Sequence, residues 1–392
     1  MVRNAVKKLR SEILDLVWSV GGTVRPGSSQ EYQVWQLNNT GSQKTVLREP
    51  FSETIPAIPF AGNQQAIAPA MAGLSHGLRA GYYADFDVPS TLSFGQDYIV
   101  TIPNGRMLSS LGIVISPDNV HFQDLSGGSF RGLAHHPLYY DGMYVPPVKR
   151  LRGTAVVLAT GLGQRNYYHW TAEILPRLRL LEQAGVRPDF YCIPKRHHYH
   201  YESLELMGIP RERLVTLGKY THLQADNLLV PSVNRQEMTR ENAQYLYQKI
   251  AVPHGGNSKV QTSAKIYIAR RRRHWRSIQN ESRLMDRLSK LGFQRYYLED
   301  MSMLEQVQLF YHADKVVGPH GSGLVNLVYC KPGTRVVEIG TPVRPSGLFH
   351  RIAHHRGLCY KNFIGIACNT RADESNILCD ENELIALLRE MD

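Results

Sequence analysis

VVGPHGSGLVNLVYCKPGTRVVEIG, residues 316–340, holds two β-branched runs separated by a glycine-rich bend, a short apolar segment and a Lys-Pro-Gly-Thr turn. The order is strand, glycine loop, short helix, turn, strand, which is the repeating unit of a parallel α/β sheet. Gly318, Gly321 and Gly323 remove Cβ atoms where the chain turns into a helix that begins near Ser322 to Val325. Free amides at a helix start, with the helix dipole behind them, attract phosphate, and His320 adds a donor beside them. A tight βα turn whose glycines serve packing alone explains the same spacing. The loop is neither a Walker A sequence nor G-x-G-x-x-G, so it does not assign a nucleotide by itself.

Upstream the same rhythm continues. "KIYIAR" (265–270), a helix near 278–291, "FQRYYLE" (293–299), a helix from 302 and "KVVG" (315–318) precede the loop. Ser302 and Glu305 form a capping box, with Leu304, Val307 and Tyr311 repeating along one face. Arg270 ends a strand at the carboxyl edge of the expected sheet, where open α/β folds bind ligands. Arg276, followed by Asn280 and Glu281, opens the next helix. A guanidinium at such a place grips a diphosphate bidentately, and Asn280 and Glu281 would orient it or receive hydroxyls. The run Arg271 to Arg273 reads as a solvated basic loop or, with Trp275 stacking, as a nucleic-acid patch.

Residues 254–264 are small and polar, an interdomain linker. Before them "TAVVLAT" (154–160), "DFYCI" (189–193) and "NLLVPS" (227–232) alternate with helical patterns, a second α/β series. Two such units predict a cleft between them for a ligand. In "NYYHWTAEILPRLRLLEQAG" (166–185), Trp170, Ile174, Leu178 and Leu181 make a buried stripe. His169, Glu173 and Arg177, four apart, line an adjacent face. An imidazole and a carboxylate there are candidates for general base work; an ordinary Glu–Arg surface pair under a histidine fits equally. Pro176 restricts or kinks this helix. "GLG" (161–163) lacks the third glycine of a dinucleotide fingerprint, because Asn166 takes its place. His197, His198 and His200 read as an exposed loop, residues 92–130 as a β-meander, and 24–80 as irregular. Asp85-Phe86-Asp87 matches the D-x-D of metal-dependent transferases, but nothing around it resembles a phosphate site, and chance explains it.

At 392 residues the chain is long enough for two domains, and no apolar run approaches a bilayer span. The net charge of +11 points to an anionic ligand, nucleic acid or an acidic membrane surface. Five cysteines without a C-x-x-C pair fit free thiols in a reducing cytosol. No secretory signal is visible, so the N-x-S/T triplets at Asn38 and Asn280 read as chance matches. Val6, Leu9, Ile13, Leu16, Val17 and Val20 follow helical spacing beside Lys7, Lys8 and Arg10. That pattern fits a helix docked on its own domain or a basic helix on an anionic membrane.

"NYYHWTAEILPRL", "YESLELMGIPRERLV", "LLVPS", "IYIARR…RSIQNE" and "MLEQVQLFYHADKVVGPHGSGLVNLVYCKPGTRVVEIG" occur in the order seen in glycosyltransferase family 61, which this chain resembles over roughly residues 95–370. The family's H-x-x-x-[DE] matches His169 and Glu173. Its G-x-H-G-[AS]-G-L-x-N matches Gly318, His320, Gly321, Ser322, Gly323, Leu324 and Asn326, with Ser322 in place of the commoner alanine. The resemblance implies a GT-B-like α/β fold, two Rossmann-like domains facing across a cleft, behind an N-terminal helical and β-meander extension. The expected division is an extension at 1–94, an acceptor-side domain at 95–255, a donor domain at 256–370 and a C-terminal helix at 371–392.

The resemblance further implies inverting transfer from a nucleotide sugar, UDP-linked sugars being one choice, without an obligatory metal or cofactor. The bacterial members, described as capsular polysaccharide biosynthesis proteins, imply a glycan or lipid-linked glycan acceptor in surface-polysaccharide assembly. They also imply a cytoplasmic enzyme, with residues 1–20 touching the inner face of the plasma membrane and no nucleic-acid partner. In this scheme Glu173, with His169, takes the acceptor proton. Arg270, Arg276, His320 and the amides of residues 321–324 stabilise the departing diphosphate. Asn280 and Glu281 contact donor sugar or phosphate, and Glu338 binds the ribose. The alternatives are a metal-dependent transferase using Asp85 and Asp87, and a non-catalytic nucleic-acid binder using the arginine run.

Overall fold

The computed structural model describes residues 23–24, 28–30, 42–67, 90–126, 144–232, 238–256, 263–271, 276–343, 346–369 and 375–392. The amphipathic segment 1–20, Asn38, the Asp85–Asp87 triplet, most of the expected linker, and Arg272, Arg273 and Trp275 lie outside the described residues. The chain forms two compact units, one from Met1–Phe51 and Gly95–Gln236, the other from Ser52–Phe94 and Glu237–Asp392.

In the first unit four strands run parallel in the order Leu214–Leu217, Phe190–Pro194, Lys149–Val157, His222–Pro231. Counted along the chain this is 3-2-1-4, the order of a Rossmann half. The first of these strands begins at Lys149, earlier than its apolar stretch indicates, because its exposed amino-terminal half pairs with His222–Pro231 from Leu223 onward. The meander is continuous with this sheet: Asp97–Pro103 and Arg106–Leu108 both pair antiparallel with His222–Pro231. Val100, Met107, Phe122, Ala155, Val157 and Leu228 consequently share one core. Gln43–Arg48, inside the stretch expected to be irregular, pairs antiparallel with Asp97–Pro103. Gly112 (φ +68°) seats the turn after Arg106–Leu108 on the end of Lys149–Val157, where a Cβ would lie 2.1 Å from the Ala159 carbonyl oxygen.

The second unit is built on a sheet of six parallel strands, ordered Gln294–Tyr297, Lys265–Ala269, Lys315–Pro319, Arg335–Gly340, Cys359–Ile364, Phe60–Gly62. The five strands from Lys265 onward thus stand 2-1-3-4-5, a doubly wound order. Phe60–Gly62, expected within an extension, is the edge strand here, and the helical stretch Arg240–Gly255, expected in the first α/β unit, also belongs to this one. The helix Met303–His312 begins at the capping box, with the Ser302 hydroxyl accepting from Glu305 N–H and the Glu305 carboxylate accepting from Ser302 N–H. Its buried face is Met303, Gln306, Val307 and Phe310, whereas Leu304 is exposed. On the opposite side of the sheet, Leu284 and Leu288 of helix Glu281–Lys290 and Leu384 and Leu388 of helix Glu381–Glu390 join Tyr267 and Val317 in one core. No helix among the described residues is long and apolar enough to cross a membrane.

Candidate functional site

A 2-1-3-4-5 order places its switch point between the first and third strands, here Lys265–Ala269 and Lys315–Pro319. Their crossovers leave to opposite sides, which opens a crevice at the carboxyl ends. Arg270 and His320, each one residue beyond its strand, meet there. Arg270 Nη1 donates to the His320 carbonyl oxygen at 2.8 Å, and His320 N–H donates to the Ile339 carbonyl at 2.9 Å. Gly321 is extended (φ −178°), so its backbone does not require glycine. Its side-chain space is tight: a Cβ would lie 3.1 Å from Arg270 Nη1, so the guanidinium would have to give by a few tenths of an ångström. The other two glycines serve packing. A Cβ at Gly318 would lie 3.1 Å from the Ile268 carbonyl oxygen, and one at Gly323 would lie 2.7 Å from Leu298 Cδ1.

The helix that follows, Ser322–Tyr329, is 3-10 in character, and no side chain caps its start. Its Leu324 and Asn326 are buried, and Asn326 Nδ2 donates to Gln306 Oε1 at 2.9 Å. His320 Nδ1 lies 2.5 Å from Glu338 Oε1, and Tyr360 O–H donates to Glu338 Oε2. Glu338 is therefore under His320, with 1% of its surface exposed.

The loop after Lys265–Ala269 places the other expected donor residues differently. Arg276 has a left-handed backbone (φ +57°). Ser277 and Gln279 pair through their backbones with Ile377. Asn280 Nδ2 donates to the Cys379 carbonyl at 2.7 Å and to Glu381 Oε1 at 2.6 Å, and its Oδ1 accepts from Cys379 N–H at 3.1 Å. Glu281 accepts from the Tyr267 hydroxyl at 2.9 Å, which burial and that carboxylate keep protonated. Both side chains fasten the C-terminal helix and the first strand, while Arg270, His320 and Gly321 lie together at the carboxyl ends of the strands.

In the first unit Asn166 caps the helix after Lys149–Val157, its Oδ1 accepting from Tyr168 N–H. His169 and Glu173 stand on one face as their spacing predicts, with Nδ1 and Oε1 2.7 Å apart. The carboxylate is the inner member, 5% exposed against 16% for the imidazole. Arg177 is buried and donates to the Val157 carbonyl at 2.8 Å.

The helix between is not regular. Trp170–Ile174 is a π-turn, closed by Leu175 N–H to the Trp170 carbonyl at 3.0 Å. Pro176 has no N–H for the Ala172 carbonyl and its ring would crowd that group; widening the turn relieves both. The same device recurs at Tyr247–Ala251, two residues before Pro253. Trp170 is anchored by its Nε1–H to Ser203 Oγ at 2.9 Å and by the His200 ring at 4.5 Å. His200, expected in an exposed loop, is fully buried, with its ring nitrogens facing the Pro194 and Gly163 carbonyls. Burial pushes its pKa down to about 4. Among the described residues no group of three or more His, Cys, Asp or Glu is arranged to hold a metal ion.

Mixed α/β units with parallel sheets are compatible with a glycosyltransferase fold. Residues 167–337 match the family model described as Glycosyltransferase 61. This span is a little under half of the chain and includes both the His169–Glu173 pair and the His320 loop. The match supports a glycosyltransferase. No curated protein matches the chain.

Proposed function

We propose that the chain is an inverting, metal-independent glycosyltransferase that moves a sugar from a nucleotide sugar to a hydroxyl of a glycan or lipid-linked glycan acceptor. The acceptor oxygen attacks the anomeric carbon as the bond from that carbon to the diphosphate breaks, and one displacement inverts the centre. His169 takes the hydroxyl proton, with Glu173 behind it fixing the ring and favouring the imidazolium that forms. The electron pair leaves on the nucleoside diphosphate, whose charge is met by Arg270, His320 and the amides that open Ser322–Tyr329. These fixed cationic and N–H groups take the part a metal plays elsewhere. A GT-B-like pairing of acceptor and donor units belongs to this proposal, as does work on surface polysaccharide at the inner face of the plasma membrane.

The observation that carries the reading is the coincidence of the family match with two His–Glu pairs, one in each α/β unit. The test is release of free nucleotide across a panel of UDP-, GDP- and CMP-linked sugars, with and without chelator. Glu173→Gln and His169→Gln are expected to lower turnover roughly 100- to 10,000-fold while nucleotide affinity by calorimetry stays within about twofold. Unchanged turnover would remove the base assignment. Loss of activity in chelator would return the metal-dependent alternative, and salt-sensitive nucleic-acid binding without nucleotide-sugar affinity would overturn the enzyme reading.

A further inference from the structure

Eight residues is long for a 3-10 helix such as Ser322–Tyr329. Its hydrogen bonds are poorer than those of an α-helix, and runs beyond three or four residues are uncommon, so the form needs support from outside. Bonds between residues three apart close both ends: Leu324 N–H donates to the Gly321 carbonyl at 2.9 Å, and Cys330 N–H to the Leu327 carbonyl at 3.1 Å. The support comes from the turn Leu298–Asp300 and the helix Met303–His312 that follows it. Leu298 packs on Gly323, where a Cβ would come within 2.7 Å of its Cδ1. Three residues further on, the fully buried Asn326 donates through Nδ2 to Gln306 Oε1 at 2.9 Å. Gln306 donates in turn from Nε2 to the Leu298 and Met301 carbonyls, at 3.0 and 3.1 Å. Those two acceptors settle which end of the amide is nitrogen and leave its oxygen facing Asn326. The spacing of the two holds suits this helix and not the other kind. Residues three apart eclipse in a 3-10 helix, so Gly323 and Asn326 stand in line; in an α-helix they would be about 60° apart around the axis.

The far end of the helix is fixed. Cys330 is fully buried, and its carbonyl accepts at 3.3 Å from Nη2 of Arg356, on helix Leu348–Arg356. A 3-10 helix rises about 2.0 Å per residue against about 1.5 Å for an α-helix, so relaxation of these eight residues would shorten the element by about 4 Å. The shortening would fall on the start, where Gly321 packs on the Arg270 guanidinium and the His320 carbonyl accepts from Arg270 Nη1 at 2.8 Å. We propose that Asn326 and Gln306 are positioning residues that keep Ser322–Tyr329 stretched, so that its opening amides stay beside Arg270 to meet a diphosphate. The proposal rests on the reading of this loop as the diphosphate site. It moves Asn326, expected among the donor-binding residues, into the support behind that site, because its side chain is bonded to Gln306 and 0% exposed.

Calorimetry with inorganic pyrophosphate is the test, on the full chain and on Asn326→Ala, Gln306→Ala, the double variant and Arg270→Ala. Each is measured well below its own melting temperature, where circular dichroism shows it folded. Asn326→Ala and Gln306→Ala are each expected to weaken pyrophosphate binding roughly five- to fiftyfold. Because they break one link, the double variant should bind no more weakly than the worse single variant, within about twofold. A merely structural role lowers the melting temperature and leaves the affinity of the folded variants at the wild-type value, and that result overturns the proposal. Losses that multiply in the double variant overturn it too, since the two side chains would then act separately. Either result leaves the diphosphate reading standing if Arg270→Ala still weakens binding, whereas a wild-type chain that binds no pyrophosphate ends both. Should the alanine variants fail to fold, Gln306→Met decides. It keeps the length of the side chain without its hydrogen bonds, so a folded protein with weakened pyrophosphate binding is expected, and wild-type affinity refutes the proposal.

Discussion

Asn280→Ala separates a fastening role from a ligand-binding one. The side chain makes three hydrogen bonds, two to the backbone of Cys379 and one to Glu381, all to the start of the C-terminal helix. A net worth of about 0.5–1.5 kcal/mol for each gives a loss of roughly 2–4 kcal/mol. Applied to a unit of about 200 residues, that is a fall in Tm of roughly 5–15 °C. Asn280→Asp should be worse than Ala, because it keeps the acceptor for Cys379 N–H but sets a carboxylate against the Cys379 carbonyl and the Glu381 carboxylate. Thermal melting reads the loss directly. Alkylation followed by mass spectrometry locates it: Cys379, 2% exposed, should become reactive in the variants, while the exposed Cys359 and Cys368 react in all. Variants that melt with the wild type, leave Cys379 protected and lose nucleotide affinity would refute this reasoning and return Asn280 to the donor site.

Two further outcomes follow from burial and backbone geometry. Gly112→Ala combines a left-handed φ of +68° with a Cβ 2.1 Å from a backbone oxygen, so the Ser109–Gly112 turn must lift; a loss of more than about 2 kcal/mol in urea unfolding is expected, and an unchanged midpoint would contradict the seating of that turn. His121, His200 and His222 of the first unit are each pushed by burial to about 4. The unfolded chain, with histidine near 6.5, binds more protons between those values, so stability present above pH 6.5 is lost as pH falls toward 4. Each contributes about 1.4 kcal/mol per pH unit within that window. Urea midpoints at several pH values should give a shallower slope for His222→Gln than for wild type; parallel slopes would speak against the neutral buried ring.

What the sequence made legible was whatever is written locally. The β-branched runs at 154–157, 315–318 and 335–340 became strands, the Ser302–Glu305 box opened its helix, and the His169–Glu173 spacing brought the two side chains into contact. What escaped was set by distant partners. Phe60–Gly62 and Gln43–Arg48 carry little pattern of their own and are strands because Cys359–Ile364 and Asp97–Pro103 supply the missing edges. Asn280 and Glu281 stood beside expected phosphate ligands in sequence, yet their partners lie about 100 and 14 residues away. The glycines of the 318–323 loop were visible, but their separate causes depended on Ile268, Arg270 and Leu298, which no spacing within the loop reveals. The π-turn had one local signal, Pro176, which marks where a regular helix fails without saying how the chain gives way.

The edge strand Phe60–Gly62 has a cost in time. Its partner Phe363 and the neighbouring Ile364 are made about 300 residues later, a delay of roughly 15–60 s at ordinary rates of synthesis. During that interval Phe60–Gly62 has no sheet to join, and most of the first unit is translated in between. A nascent chain of this design should depend on chaperones that shield early segments. A fragment cut at residue 237 should leave Cys359–Ile364 bare along one side and prone to pair with a second copy.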